Sequence, residues 1–338
     1  MKVHFFKPPP AQSAGGLNAA IEALRTALLG AGVEVSAEPP GRNGDCVAHF
    51  HGLWQLSHAR FAAQFVGRGV PCVISPHGML EPWAWKHKRW KKEPYFHTIE
   101  KHHLRRAGAV LATAPKEAAR LREMLPGARV EVLPLGLTGD VRPDYEAART
   151  RLGWAPDERV LLFLSRIHVK KGLDLLLHAL AETTLPERTR LVIVGGGGPS
   201  YVDELHRLAE RLRTRLPRVD WIGELWGEER WKYFQGADLF CLPSHSENFG
   251  LAVLEACQVG TPVLTTTTTP WADEIGSDRG YIAEPTVASL QPQLARFFAA
   301  PPWPAESRAR LSEWAWEKFH WAALTPRYLE LYRGLLGA

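Results

Sequence analysis

The sequence predicts an α/β fold in two domains, each built on a parallel sheet, and three observations carry that expectation. Short apolar runs alternate with longer amphipathic or polar stretches along the whole chain, the pattern of β and α elements in turn that gives a parallel sheet covered on both faces. The alternation is interrupted after Leu137 by a polar, Pro-containing stretch and then starts again. The chain has 338 residues, about twice the roughly 100 to 200 residues of one domain.

Taken in order, Val3 to Phe6 reads as a first strand. A Pro/Gly-rich loop ends at Gly15 and Gly16, and apolar residues at helical spacing run from Leu17 to Leu29, closed by Gly30. Cys46 to Phe50, Cys72 to Ser75, Ala109 to Thr113 and Val130 to Leu133 read as further strands. TGDVRPDYEAARTRLGWAPDER reads as a linker with the boundary at 140 to 157, giving domains of 1–150 and 151–315. Beyond it the strands are Val160 to Ser165, Leu191 to Val194, Val219 to Ile222, Leu239 to Leu242 and Pro262 to Thr265, with helices at Leu173 to Thr183 and Ser200 to Leu216. TTTTT at 265–269 reads as a loop whose hydroxyls cap something. The tail from Ser307 is helical, with Trp314, Trp316, Phe319, Trp321, Tyr328 and Tyr332 at positions a helix buries. Residues 316–338 are expected to pack back on the first domain.

Composition excludes several classes. Hydrophobic residues at 45% and charged residues at 23% are ordinary for a globular protein, which rules out general disorder. No run reaches the roughly 18 to 20 apolar residues of a membrane span, and MKVHFFKPPP lacks the apolar core of a secretory leader. The expected location is therefore the cytoplasm. The cysteines, Cys46, Cys72, Cys241 and Cys257, form no CxxC pair and read as reduced thiols. A net charge of +5 favours anionic partners, leaving small-molecule phosphates, nucleic acid and acidic lipid all open.

Three motifs carry chemistry. Gly15 and Gly16 sit where strand becomes helix, so backbone N–H groups could meet a phosphate there, or the pair is a plain tight turn. In LLFLSRIHVKKGLDLL, Arg166 and Lys171 follow a buried strand at the carboxyl end of the second sheet, where ligands of open α/β sheets bind. Two cations there neutralise a diphosphate, the guanidinium gripping two oxygens and the ammonium acting as a point charge. In LPSHSENFGLAVLEACQVGTPV, Glu247 precedes a helix opened by Asn248, Phe249 and Gly250, with Glu255 inside it. Glu247 suits sugar hydroxyls, and the free N–H groups of the first turn suit anionic or polar groups. Residues eight apart on a helix are separated by about 12 Å, beyond the roughly 5 to 9.5 Å of a glycosidase pair, which argues against a hydrolytic pair.

These motifs in this order resemble the retaining glycosyltransferase family 4 over essentially the whole chain. SENFGLAVLEA looks like that family's E-x7-E segment and SRIHVKKGL like its Arg and Lys clamp. SPHGMLEPWAWKHKRWKK and TTTTTPW resemble the HGML-x-PW subgroup involved in surface polysaccharide synthesis. The resemblance implies a GT-B fold of two facing Rossmann-like domains with a cleft between them. It implies that Gly15 and Gly16 approach the donor diphosphate, that Arg166 and Lys171 hold it, and that Glu247 binds the transferred sugar. Backbone N–H groups from Asn248, Phe249, Gly250 and Leu251 would touch sugar and phosphate, Glu255 the ribose, and His77 the reacting centre. The sequence departs from the family at Ser165, where Gly is common, and at Leu135 in PLGL, where Asn is typical.

The expected activity is retaining transfer of a hexose-type sugar from a nucleotide diphosphate sugar to a saccharide or lipid-linked acceptor. No DxD triplet occurs in the sequence, so no metal or other cofactor is expected. In residues 83–106, Trp83, Trp85 and Trp90 stand among Lys86, Lys88, Lys91 and Lys92. This composition suits an anionic acceptor or a peripheral contact with the inner face of the cell membrane, or else a solvated basic surface with its aromatics turned inward. The rival readings are a nucleotide-sugar epimerase of the same fold and a non-catalytic nucleic-acid binder. The second leaves both glutamates without a purpose, and no nucleic-acid partner is expected.

Overall fold

The computed structural model describes residues 1–8, 15–38, 46–86 and 88–337. The chain divides into two compact units, one of residues 1–138 with 318–338 and the other of residues 139–317.

The first unit contains β1 (Lys2–Phe6), β2 (Glu34–Ser36), β3 (Cys46–His51), β4 (Cys72–Ser75), β5 (Ala109–Ala112) and β6 (Val130–Val132). They form a sheet in the order β2-β1-β3-β4-β5-β6, parallel throughout. Successive side chains of a strand point to opposite faces, and the apolar core divides accordingly. Ala48, Phe50, Ile74 and Val110 pack on one face with helix Leu56–Val66. Val3, Phe5, Val47 and Leu111 pack on the other with helices Gly15–Gly30 and Trp321–Leu336. The aromatic positions of the tail are used here: Tyr328 and Tyr332 are buried, and the Trp321 indole donates to the Leu137 carbonyl at 2.9 Å.

The second unit contains β7 (Arg159–Leu164), β8 (Thr189–Val194), β9 (Arg218–Gly223), β10 (Leu239–Leu242), β11 (Val263–Thr266) and β12 (Gly280–Ala283). Its sheet, also parallel, runs β12-β11-β10-β7-β8-β9. Counted within the unit this is the doubly wound order 3-2-1-4-5-6, whose direction of winding reverses between β7 and β10.

The two units divide at 138/139 rather than at the expected 150, and the segment read as a linker belongs to the second unit. Tyr145–Leu152 is a helix of the second unit. It is held there by Asp238, which accepts from the Tyr145 hydroxyl at 2.7 Å and from Arg149 Nη1 at 3.1 Å. Asp144 and Gly153 bracket it, Gly153 taking the left-handed conformation that ends a helix. Two short strands, β2 and β12, escape the sequence reading: EVS has a single apolar residue, and GYIA, though apolar, is only four residues long and opens on a glycine. The cysteines are free and buried. Among the described residues no helix is long and apolar enough to cross a membrane.

Candidate functional site

In the second unit the reversal between β7 and β10 opens the loops after both strands at the carboxyl edge of the sheet, the position where open α/β sheets bind ligands. The loop after β7 carries Arg166 and continues into a single tight turn, Val169–Lys171. Gly172 follows at φ +68°, and a Cβ there would lie 2.2 Å from the Pro243 carbonyl oxygen. Only glycine lets these two loops meet so closely. The Lys170 carbonyl accepts from the His245 N–H at 2.8 Å, so the β7 loop and the β10 loop form one surface.

On that surface Lys171 Nζ donates to Glu247 Oε1 at 2.5 Å, and Ser244 Oγ donates to the same oxygen at 2.7 Å. Oε2 of Glu247 makes no hydrogen bond within the described residues. Burial works to raise the Glu247 pKa, but the Lys171 and Lys170 charges and the two hydrogen bonds outweigh it and hold the carboxyl below its ordinary 4.5. The threonine run supports this arrangement: Thr266 and Thr268 hydroxyls both donate to the Ser244 carbonyl, at 2.5 and 2.8 Å. Thr265 and Thr266 belong to β11 rather than to a loop, so the expected capping role falls to strand residues as well. Arg166 is exposed and its side chain makes no polar contact with the described residues.

Glu247 lies outside the helix, which spans Leu251–Gln258 and is preceded by Gly250 at φ +78°, so helical rise does not measure its distance from Glu255. Phe249 is buried edge-on against Trp271, and its carbonyl accepts from the Trp271 indole N–H. The Phe249 side chain therefore shapes the turn. Asn248 lies half-buried in the same turn, ahead of Leu251 at the start of the helix. Glu255 is paired with Arg230, Nη2 to Oε1 at 2.7 Å. Sequence reasoning missed Arg230, for which spacing gave no signal. It also missed Gly195 to Gly198, four glycines between β8 and the helix Pro199–Leu212, where the signal was plain: a glycine run ending an apolar strand and opening a helix. A Cβ on Gly195 would lie 1.9 Å from the Ser165 carbonyl oxygen, so this loop packs directly on the loop after β7.

In the first unit Gly15 and Gly16 open the first helix, while the loop ahead of them, residues 9–14, lies outside the described residues. His77 follows β4 with φ +51° and shares a hydrogen bond with His51, Nε2 to Nδ1 at 3.1 Å. His49 is bonded to the Ser75 hydroxyl at 2.8 Å and the Tyr332 hydroxyl at 2.9 Å. The next residue after His77 is pinned: Gly78 N–H donates to Glu117 Oε1 at 2.7 Å, while Thr113 donates its N–H and hydroxyl to Oε2. Glu117, buried in the helix Pro115–Met124, was not singled out from sequence because a Glu in the first turn of a helix is common. Leu135 is buried and lines a cavity of about 10 Å³ with His51, Ser75, His77 and Thr113.

Burial depresses the histidines, His49 to about 3, His77 to about 4 and His51 well below 6.5, and it raises Glu117 to about 7 against its hydrogen bonds. The linkage signs follow. Below pH 6.5 the unfolded chain takes up protons that the buried imidazoles refuse, so stability falls as pH drops from 6.5 towards 4. Glu117 acts oppositely between 4.5 and 7, one proton against those of His49, His51, His77 and His58, the last also lowered by burial. The expected result is a melting temperature that falls on acidification below 6.5, with a shallower fall in His49→Asn. A flat profile between pH 7 and 5 would contradict the neutral state of these rings, of which His49 and His51 are buried and His77 half-buried.

The basic aromatic block divides, and this corrects part of the expected contact set. Trp85 turns inward, against Trp54 at 6.0 Å and edge-on to Phe96 at 5.2 Å, and it packs on the core. Lys92 is half-buried, donating to the Ala84 carbonyl at 2.5 Å, with burial lowering its pKa. Trp83 and Trp90 are exposed, 37% and 74%, with Lys86, Lys88 and Lys91 exposed beside them. Among the described residues no group of three or more His, Cys, Asp or Glu is placed to hold a metal ion.

Residues 144–317 match the family described as glycosyl transferases group 1, and residues 41–138 match glycosyltransferase family 4. The chain belongs to the group 1 glycosyltransferases. D-inositol 3-phosphate glycosyltransferases of Xylanimonas cellulosilytica and Segniliparus rotundus are 35% and 33% identical to it over 185 and 223 residues. Those alignments cover 51% and 62% of this chain and 44% and 47% of the relatives, so the chain spans about half the length of the curated relatives it matches. Among solved structures, sucrose-phosphate synthase from Thermosynechococcus elongatus superposes with a TM-score of 0.82 at 21% identity, covering 99% of each chain. Anabaena HepE in complex with UDP-glucose does so with a TM-score of 0.72 at 18% identity, covering 98% of each. The fold of this chain is GT-B.

Proposed function

We propose that this glycosyltransferase moves a hexose-type sugar, with retention of configuration, from a nucleotide diphosphate sugar to a saccharide or lipid-linked acceptor in polysaccharide or glycolipid synthesis. The observation that carries the reading is the Lys171–Glu247–Ser244 cluster at the switch point between β7 and β10. A cation and an acceptor-only carboxylate side by side match the two ends of one bond, a phosphate on one side and a hydroxylated sugar on the other. The cited likenesses to UDP-glucose and inositol phosphate enzymes support the substrate class, as does the HGML-x-PW block at 77–83.

Charge gives the mechanism. As the bond from the anomeric carbon to the phosphate oxygen breaks, negative charge grows on the leaving diphosphate. Arg166 and Lys171 stabilise that charge more in the transition state than in the ground state. Gly15, Gly16 and the N–H groups at Asn248 to Leu251 assist at the phosphates and sugar. Oε2 of Glu247 accepts from a sugar hydroxyl, while Oε1 stays tied to Lys171 and Ser244. In this reading Glu255, paired with Arg230, binds the ribose, and His77 acts at the reacting centre, with the N–H of the next residue, Gly78, held by Glu117. The cations supply the charge that a divalent ion supplies elsewhere, so transfer proceeds without a metal. Exposed Trp83 and Trp90 with Lys86, Lys88 and Lys91 form a contact with an anionic membrane or acceptor on the cytoplasmic side.

Thermal-shift titration with UDP, GDP, ADP and their sugar conjugates tests the donor site. A ligand that binds only the native state raises its melting temperature. One nucleotide is expected to shift the wild type and to shift Arg166→Ala much less, since Arg166 is exposed and its loss leaves the fold intact. An equal shift in both removes Arg166 from the clamp. Activity abolished by a chelator and restored by a divalent ion would overturn metal-free transfer.

A further inference from the structure

A groove of about 260 Å³ lies in the first unit between the helix Leu56–Val66 and the segment Thr98–Arg106. Leu56, Ala63, Val66 and Ile99 give it apolar walls, and Leu56 is 45% exposed. Three cations or potential cations stand on its exposed rim: Arg60, His102 and Arg106, with Arg106 Nη1 3.3 Å from His102 Nε2. The helix LSHARFAAQFV carries no acid. Glu100, within FHTIEKHHLRR, is buried and accepts from the Trp54 N–H at 2.8 Å. His103 lines the groove and is only 8% exposed, yet neither of its ring nitrogens has a hydrogen-bond partner among the described residues. Its Nδ1 lies 3.7 Å from Glu100 Oε2.

Buried polar groups ordinarily have partners, and apolar walls under a cationic rim suit a ligand that is greasy along its length and anionic at one end. We propose that this groove binds the phosphate head and first chain carbons of an anionic membrane lipid. The volume is just below the roughly 300 to 1,000 Å³ of small-molecule pockets, which admits part of one chain. Arg60 and Arg106 meet the phosphate oxygens through charge-assisted hydrogen bonds, His103 supplies a further nitrogen, and the chain lies along Leu56, Ala63, Val66 and Ile99. None of these residues belongs to the donor site; the proposal gives the anionic-membrane contact proposed above a specific lipid site, and its test does not depend on sugar transfer.

The test is calorimetric titration of the full chain with dodecyl phosphate below its micelle concentration, alongside inorganic phosphate and dodecyl maltoside. Dodecyl phosphate is expected to bind at one site, and the other two far more weakly. Ala63→Trp, which fills the groove from an exposed position, and the double variant Arg60→Ala with Arg106→Ala are each expected to weaken binding about tenfold or more. No binding to the wild type overturns the proposal. So does unchanged affinity in either variant, equal affinity for inorganic phosphate, which marks a bare anion site, or equal affinity for the maltoside, which marks a detergent patch. If Ala63→Trp loses its circular-dichroism signature, the double variant alone decides.

Discussion

Lys171→Ala is expected to lower kcat by about 10² to 10³, the usual loss when one donor aimed at developing transition-state charge is removed. The loss has two sources that pH separates. One is the missing cation at the leaving diphosphate. The other is Glu247, whose carboxyl is kept below 4.5 by Lys171 and Lys170 against the pull of burial. With Lys171 present, the Glu247 carboxylate contributes stability above the ordinary carboxylate range, and that contribution is lost as pH falls through its lowered value. Without Lys171, burial and the remaining partners set the balance, and Glu247 takes up its proton at higher pH. The acid limb of the rate profile therefore moves upward in Lys171→Ala. Lys171→Arg keeps a charge but not the compact ammonium geometry, and should recover the acid limb more fully than the rate. A Lys171→Ala enzyme with unchanged kcat and an unchanged acid limb would dismiss the cluster as a surface ion pair.

Asp238→Ala is expected to destabilise the second unit by about 3 to 5 kcal/mol, because it leaves buried charge without its partner. Asp238 accepts from Arg149 Nη1 at 3.1 Å, the Val160 N–H at 2.8 Å and the Tyr145 hydroxyl at 2.7 Å, with Arg308 Nη2 at 3.5 Å. Arg149 and Arg308 are 2% and 4% exposed, so water does not replace the carboxylate. Burial already pushes the Arg308 pKa down, and Asp238 is the main opposing influence. In a unit of this size the loss corresponds to a melting-temperature drop on the order of 10 °C. The drop should be accompanied by release of the helix Tyr145–Leu152, read as faster hydrogen exchange there. A change of only a degree or two would mean that the two guanidiniums find other partners.

Much of the site was legible in the sequence because its parts lie at the ends of strands. An apolar run such as LLFL, followed by SRIHVKKG, places its cations at a strand's carboxyl end whatever the sheet order. The same logic located SENFG after LFCL. Glu117 and Arg230 were not legible, since each acts on a residue from another element: Glu117 on Gly78, and Arg230 on Glu255. Nor was the inward turn of Trp85, because WAWKHKRWKK offers aromatics in both directions and only the packing against Trp54 and Phe96 selects one.

The sequence by itself determined the alternation of strand and helix, the two-domain plan, the expected glycosyltransferase family 4 motifs and the residues ending each strand. Those depend on local periodicity and on glycine. Tertiary structure decided the strand order that puts β7 beside β10, and with it the meeting of Lys171, Ser244 and Glu247. It also moved the helix Tyr145–Leu152 to the second unit and gathered His49, His51 and His77 into one group of touching rings. Pairing between strands and the desolvation of charge arise only when distant segments pack, so no local pattern encodes them.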